Sequence, residues 1–255
     1  MAEEALRWAG RNTEKDSLRS LIWSTLEEKG YAVGPAWNRI SNFVDADKAA
    51  DRLAAMPFWK DARVVKSNPD MPQIPVRYNA LRDGKLLYTP VPELVEDFPF
   101  VLLDPAKLNA DGIDLLEAAH IEGALKYGTP VRFTEMLPMD ILVVGSVAVT
   151  RDGARTGKGG GFADLELGVF GELNIIPDHA KVVTTIHDVQ LVDNGVITLQ
   201  PHDYPLEWVF TPSETIETKS AHPRPSGVLW EAVQEDQFQD IPFLLELRQE
   251  LEARS

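Results

Sequence analysis

Asp140-Ile-Leu-Val-Val-Gly-Ser-Val-Ala-Val-Thr150 is the stretch on which the fold turns. It is strongly apolar and does not alternate. A strand with one face in water alternates apolar and polar side chains, whereas a strand covered on both faces is a continuous apolar run, as a parallel sheet requires. Residues 140–150 are therefore expected to form a central strand buried on both sides. Residues 181–186 and 208–212, later in the chain, and residues 62–67, 86–91 and 100–104, earlier in it, are further expected strands. Helical patterns fall between and around them. Residues 13–29 carry Leu18, Leu21, Ile22 and Leu26 on one stripe, with Thr13 or Asp16 as cap and Gly30 as stop. Residues 45–56 start on Asp45 and end before Pro57, and residues 111–127 carry Leu115, Leu116, Ala118 and Ala119 and stop at Gly128. Residues 162–173 are a helix despite Gly168 and Gly171, and residues 242–254 close the chain amphipathically. Strands alternating with helices imply an open α/β sheet with helices on both faces. All 255 residues are expected to form one domain, with an extended arm and C-terminal helix over residues 219–255.

The formal net charge is −15, from 40 acidic and 25 basic residues. Such a surface repels phosphodiester backbones and anionic lipid headgroups, so no nucleic-acid or membrane partner is expected. An anionic small molecule needs a local basic pocket or a metal. The chain has no cysteine, which excludes disulfides, thiolate zinc sites and cysteine nucleophiles. The opening Met1-Ala-Glu-Glu-Ala-Leu-Arg-Trp8 lacks the basic head and apolar run of a signal peptide, and no stretch has the composition of a membrane span. A cytoplasmic location is the default expectation.

The sharpest chemical signal is Arg155-Thr-Gly157-Lys158-Gly159-Gly160-Gly161-Phe162-Ala163-Asp164. Glycine loses the most backbone entropy on folding, so four in five positions are costly. They make sense where the main chain must come close to a ligand and aim several N–H groups at it. Such nests, followed by a helix N-terminus, bind phosphate. Lys158 and Arg155 add positive charge, and Asp164 can hold a magnesium ion, which takes one or two carboxylates plus phosphate oxygens. A flexible hairpin turn is the competing reading. The spacing fits neither a P-loop nor a dinucleotide fingerprint.

Three further signals accompany it. His202-Asp203-Tyr-Pro precedes the strand at 208–212, where Asp203 can be a second metal-linked carboxylate or part of a satisfied turn. Lys15 and Arg19, four apart on one helix face, can reach a triphosphate or simply face water. His187 of His187-Asp188 lies at a strand end, where it can act as acid or base, or pin a loop. Neither a nucleophile elbow nor a His-Glu-x-x-His helix is present, so a hydrolase triad has no support.

Together, Lys15 with Arg19, the loop 155–164 and His202-Asp203 resemble the 5-formyltetrahydrofolate cyclo-ligase family. Its members carry Lys-x-x-x-Arg in the first helix, then Arg-x-Gly-x-Gly-x-Gly-Tyr-Tyr-Asp, then His-Asp, in that order. The resemblance spans about residues 13–220. It implies a three-layer α/β/α, mostly parallel sheet of the kind found in sugar-phosphate isomerases and CoA transferases. It implies ATP contacts at Lys15, Arg19, Arg155, Gly157, Lys158, Gly159, Gly160, Gly161, Phe162 and Ala163, and magnesium at Asp164 and Asp203. The implied reaction converts 5-formyltetrahydrofolate and ATP to 5,10-methenyltetrahydrofolate, ADP and phosphate: ATP phosphorylates the formyl oxygen, nitrogen 10 attacks, and phosphate leaves. Arg155 and Lys158 are the expected catalytic groups, offsetting charge that develops on the transferred phosphoryl.

The chain also departs from the family pattern. Phe162-Ala163 stands for Tyr-Tyr, and Leu165-Glu166 where an Arg is usual. The region of the family's pterin-recognising Glu reads Val65-Lys-Ser-Asn-Pro69-Asp70-Met-Pro-Gln73-Ile-Pro-Val-Arg77. This stretch, with Gly84-Lys-Leu-Leu-Tyr-Thr-Pro-Val-Pro92, is similar to the paralogous branch of methenyltetrahydrofolate-synthetase-domain proteins. Lys66, Asn68, Asp70, Gln73, Arg77 and His187 are expected to line the pocket of a small-molecule acceptor, although a Pro-rich surface loop is an equal reading of residues 66–77. The resemblance leaves three functions open: the cyclo-ligase reaction, the same ATP chemistry on another acceptor such as a thiamin-related heterocycle, and a non-catalytic nucleotide-binding module. A monomer or homodimer is expected.

Overall fold

The computed structural model describes residue 8 and residues 10–91 and 99–254. The reading of residues 1–7 as no signal peptide, and the Pro92 end of the 84–92 stretch, lie outside the described residues. Eleven strands are seen among them: β1 (Val64–Ser67), β2 (Leu86–Pro90), β3 (Phe100–Leu103), β4 (Thr129–Val131), β5 (Ile141–Val143), β6 (Ala148–Thr150), β7 (Arg155–Thr156), β8 (Lys181–Thr185), β9 (Leu191–Val192), β10 (Trp208–Phe210) and β11 (Thr215–Glu217). The helices are α1 (Thr13–Glu28), α2 (Ala46–Ala54), α3 (Pro57–Asp61), α4 (Ile74–Arg82), α5 (Pro105–Ala110), α6 (Leu115–Ala119), α7 (Ile121–Tyr127), α8 (Phe162–Glu172), α9 (Glu235–Asp240) and α10 (Phe243–Arg254).

Eight strands form one sheet in the order β11-β10-β8-β5-β1-β2-β3-β4. From β10 to β2 every neighbouring pair is parallel, and β11, β3 and β4 add antiparallel edges. The central strands alternate between two cores. Val64, Leu142, Val182 and Val209 pack into a layer with Phe100, Phe133 and Phe170. Val65, Ile141, Val143, Val183 and Phe210 pack into the opposite layer with Leu53, Trp59 and Ala118. Both faces of each strand are thus dry, which gives the three-layer α/β/α fold and explains why the apolar run at 140–150 shows no alternation.

That run is nevertheless not one strand. Ile141–Val143 lies in the large sheet, and Ala148–Thr150 belongs to a second, three-stranded sheet, β7-β6-β9. The chain changes sheet because its linking carbonyls find another donor. The fully buried Gln190 amide donates to Ser146 O at 3.1 Å and Val147 O at 3.0 Å. Ser146 Oγ bonds Thr184 Oγ1 on β8 at 2.9 Å.

The expected helix over residues 111–127 is also divided. Asp114 caps α6 through the N–H groups of Leu116 and Glu117, and His120 adopts extended geometry (ψ 151°) before α7 begins. For α1, the cap is Asn12, whose side chain accepts from Lys15 N at 2.9 Å, in place of Thr13 or Asp16. Asp45 precedes α2 as expected, but in a left-handed conformation (φ 64°) without a side-chain capping bond. The glycines of α8 are explained by packing. A Cβ on Gly171 would lie 2.7 Å from Ser226 O, and one on Gly168 would lie 3.2 Å from Gly227 O. The segment at 226–228 therefore rests directly on that helix. None of the described helices is long and apolar enough to cross a membrane.

Candidate nucleotide-binding site

The carboxyl ends of β1, β2 and β5 open into a cleft of about 970 Å³, at the edge where open α/β sheets place ligands. Its floor includes Asn68, Pro69 and Asp70 after β1, Val91 after β2 and Gly145 after β5. One wall is the run Arg155–Glu166. Lys15, Arg19 and Asp203 approach from α1 and from the loop before β10.

Gly159 (φ 113°) and Gly161 (φ 74°) occupy left-handed conformations that side chains rarely adopt. Gly161 is also the N-cap of α8 and supplies no side-chain cap. The first turn of that helix therefore presents uncapped N–H groups at the cleft, the arrangement that favours an anion.

Arg19 and Arg155 are already engaged in holding this loop. Arg19 Nε donates to Gly157 O at 2.6 Å and Nη2 to Thr156 Oγ1 at 2.9 Å, while Nη1 meets Asp16. Burial lowers the Arg19 pKa, opposed by Asp16. Arg155 Nη2 lies 2.6 Å from Asp164 Oδ2, and Tyr204 N donates to Asp164 Oδ1 at 3.0 Å. Lys15 Nζ lies 2.8 Å from Asp203 Oδ2. Burial pushes the Asp203 carboxyl up, but Lys15 and the Gln200 N–H outweigh it and hold the group below the ordinary carboxylate range. Lys158 reaches toward Asp70 at 3.9 Å and is 38% exposed, which leaves its ammonium accessible to a ligand. Burial raises the Asp70 pKa against the pull of Lys158 and Arg77.

Asp164 and Asp203 both line the cleft, and the N–H of Tyr204, the residue after Asp203, donates to Asp164. Among the described residues, no group of three or more acidic or His side chains is placed to hold a metal. Magnesium usually takes one or two carboxylates and completes its shell with other oxygens, so the carboxylates beside the glycine loop fit it in kind, although Asp164 is paired to Arg155 and Asp203 to Lys15.

The expected acceptor residues divide. Asn68 and Asp70 line the cleft. Lys66 is fully buried beneath it, ion-paired to Glu166 and donating to Asn68 Oδ1. Burial lowers the Lys66 pKa and raises that of Glu166, each opposed by the other's charge. Arg77 is buried, with Nε donating to Ala119 O at 2.6 Å and Nη1 to Asp70 O at 3.1 Å, so it braces the β1 loop from behind. Burial brings its pKa down to about 10. Gln73 is also fully buried and outside the lining. His187 lies away from the cleft, stacked on Tyr31 with ring centroids 4.3 Å apart, and accepts Val189 N–H at its Nδ1. It pins a loop. Lys66, Gln73, Arg77 and His187 are thus not brought to the cleft surface: Lys66 and Arg77 support it from beneath, His187 pins another region, and Gln73 is buried with its side-chain amide making no hydrogen bond among the described residues.

Two residues that the sequence did not single out touch the glycine loop. Arg11 Nη1 donates to Gly160 O at 3.2 Å, and Gln237 Nε2 donates to the same oxygen at 2.8 Å. Neither lies in a recognisable motif. Gln237 comes from α9, 77 residues beyond its partner.

The profile of the 5-formyltetrahydrofolate cyclo-ligase family matches residues 11–212. A bovine (Bos taurus) methenyltetrahydrofolate synthase domain-containing protein is 34% identical over 240 residues, covering 93% of this chain and 63% of that protein. Its mouse (Mus musculus) counterpart is 34% identical over 237 residues, covering 92% and 63%. The chain therefore spans somewhat under two thirds of the length of these relatives. Among solved structures, the Aquifex aeolicus 5,10-methenyltetrahydrofolate synthetase superposes with a TM-score of 0.51 at 18% identity, covering 82% of this chain and 95% of that one. At that identity the likeness concerns the fold.

Proposed function

This chain belongs to the 5-formyltetrahydrofolate cyclo-ligase family, and from that premise we propose that it is an ATP- and magnesium-dependent ligase of the cyclo-ligase type. The proposed reaction takes 5-formyltetrahydrofolate and ATP to 5,10-methenyltetrahydrofolate, ADP and phosphate. The observation that carries this reading is the convergence of Lys15, Arg19, the loop 155–164 and Asp203 on one cleft at the strand ends. The uncapped start of α8 and the accessible Lys158 ammonium receive the phosphates, while Arg19 and Arg155 hold the loop and Asp164 in place. Asp164 and Asp203 would hold the magnesium ion, which neutralises phosphate charge. The protein's share of the work is positioning and charge neutralisation, which asks for no covalent nucleophile.

Calorimetry with Mg-ATP tests the nucleotide half: the protein binds it, and Asp164→Ala weakens the magnesium-dependent part. Unchanged affinity in that variant would remove Asp164 from the metal site. Incubation with 5-formyltetrahydrofolate and Mg-ATP tests the acceptor half through the methenyl absorbance, and a flat trace at high enzyme concentration rejects the folate assignment.

One observation favours a second reading, in which the same ATP chemistry serves another acceptor. The cleft wall ends in Leu165-Glu166, with Glu166 tied to buried Lys66, where the family pattern has an Arg. An ADP-release screen over pterins and thiamin-related heterocycles separates the two readings.

A further inference from the structure

The family profile ends at residue 212, yet the cleft does not. Gly227, Val228, Leu229, Ala232, Val233 and Gln237 also line it. This C-terminal segment is seated on the helix that starts at the phosphate loop. Its backbone at 226–228 lies against Gly168 and Gly171 of α8, and Val228 N donates to Glu172 Oε1 at 3.0 Å. It then delivers Gln237, 5% exposed, whose Nε2 donates to Gly160 O while Oε1 accepts Gln234 N at 2.9 Å.

A loop that binds an anion through its amides must keep its carbonyl oxygens turned away, because each carries partial negative charge. In a planar trans peptide the carbonyl and the following N–H point in opposite directions. A donor that fixes a carbonyl therefore fixes the next amide as well. Arg19 does this for Gly157 O and the Lys158 N–H. At Gly160 O the donors are Arg11 and Gln237, and the amide so directed is that of Gly161, the N-cap of α8.

We propose that the C-terminal segment is a working part of the nucleotide site, with Gln237 as a positioning residue that orients the Gly160–Gly161 peptide for phosphate binding. The inference rests on the nucleotide reading of the cleft. It makes residues beyond the family profile a determinant of triphosphate affinity in this chain.

Gln237→Glu tests it in the whole 255-residue chain. The variant keeps an acceptor for Gln234 N, and Glu is well suited to that position of a helix start. It replaces the donor facing Gly160 O by a second acceptor. Loss of a buried hydrogen bond of this kind should weaken Mg-ATP binding about 10-fold or more, measured by calorimetry. Inorganic tripolyphosphate with magnesium should lose affinity by the same factor, because the contact concerns the phosphates. Glu172→Ala loosens the same segment through Val228 without touching Gly160, and should lower the thermal midpoint while costing much less affinity. Equal Mg-ATP affinity in Gln237→Glu and the unmodified protein overturns the proposal and leaves the nucleotide reading intact. So does an affinity loss in Glu172→Ala as large as in Gln237→Glu, since the segment would then act only through stability. Absence of Mg-ATP binding in the unmodified protein removes the nucleotide reading and this inference with it.

Discussion

Lys15 and Asp203, 188 residues apart in the chain, form one ion pair with Nζ 2.8 Å from Oδ2. The sequence suggested a phosphate contact for one and a metal contact for the other, and the fold makes them partners. The side chains are only 13% and 9% exposed, so the pair is intermediate between a solvated bridge and a buried one. Lys15→Met should therefore cost about 1–2 kcal/mol of stability, above the surface range and below the cost of stranding a fully buried charge. Urea denaturation checks this, and a change under about 0.3 kcal/mol would show that the pair is solvated in practice.

The pair Lys66–Glu166 is the fully buried counterpart, 0% and 4% exposed. Removing one partner leaves an uncompensated charge, so Lys66→Met should destabilise by about 3–5 kcal/mol. The double variant Lys66→Met with Glu166→Leu should recover most of that loss, because both desolvation penalties vanish together. A double variant as unstable as the sum of the two single ones would show that the pair is not coupled.

Gly171→Ala offers a test in which two rules disagree. Alanine in a helix interior is favoured over glycine by roughly 0.8–1 kcal/mol. Here the added Cβ would meet Ser226 O at 2.7 Å and Tyr204 Oη at 3.1 Å. The thermal midpoint should fall, and proteolysis should become faster in the segment after residue 220. A rise in the midpoint would mean that the segment yields at little cost.

Asp140 sets an acid limit on stability. Burial raises its pKa, but the N–H groups of Val64 and Arg63, at 2.9 and 2.7 Å, outweigh that and lower it overall, with His179 contributing. The unfolded value is about 3.9. A group depressed on folding contributes stability that is complete above its unfolded pKa and is lost as pH falls through its folded one. The stability difference between the unmodified protein and Asp140→Asn should therefore be fully present at about pH 5 and shrink below about pH 4. A difference that grows as the pH falls from about 5 to 3 would reverse the assigned sign.

The sequence determined the layers. Continuous apolar runs such as Ile-Leu-Val-Val at 141–144 can be satisfied only by cover on both faces, and the helical patterns located α1, α2, α8 and α10 to within a few residues. The glycine run, Lys15, Arg19 and the His202-Asp203 pair were legible as one set through their resemblance, in type and order, to the cyclo-ligase family, while the spacing of each alone left a plain alternative open. Tertiary structure decided how the set is used. The break at Gly145, the burial of Lys66 and Arg77, the removal of His187 to another region and the arrival of Gln237 all depend on which atom lies across a fold-wide gap. A buried polar group must find a partner wherever the packing offers one, and no periodicity along the chain records where that partner will be.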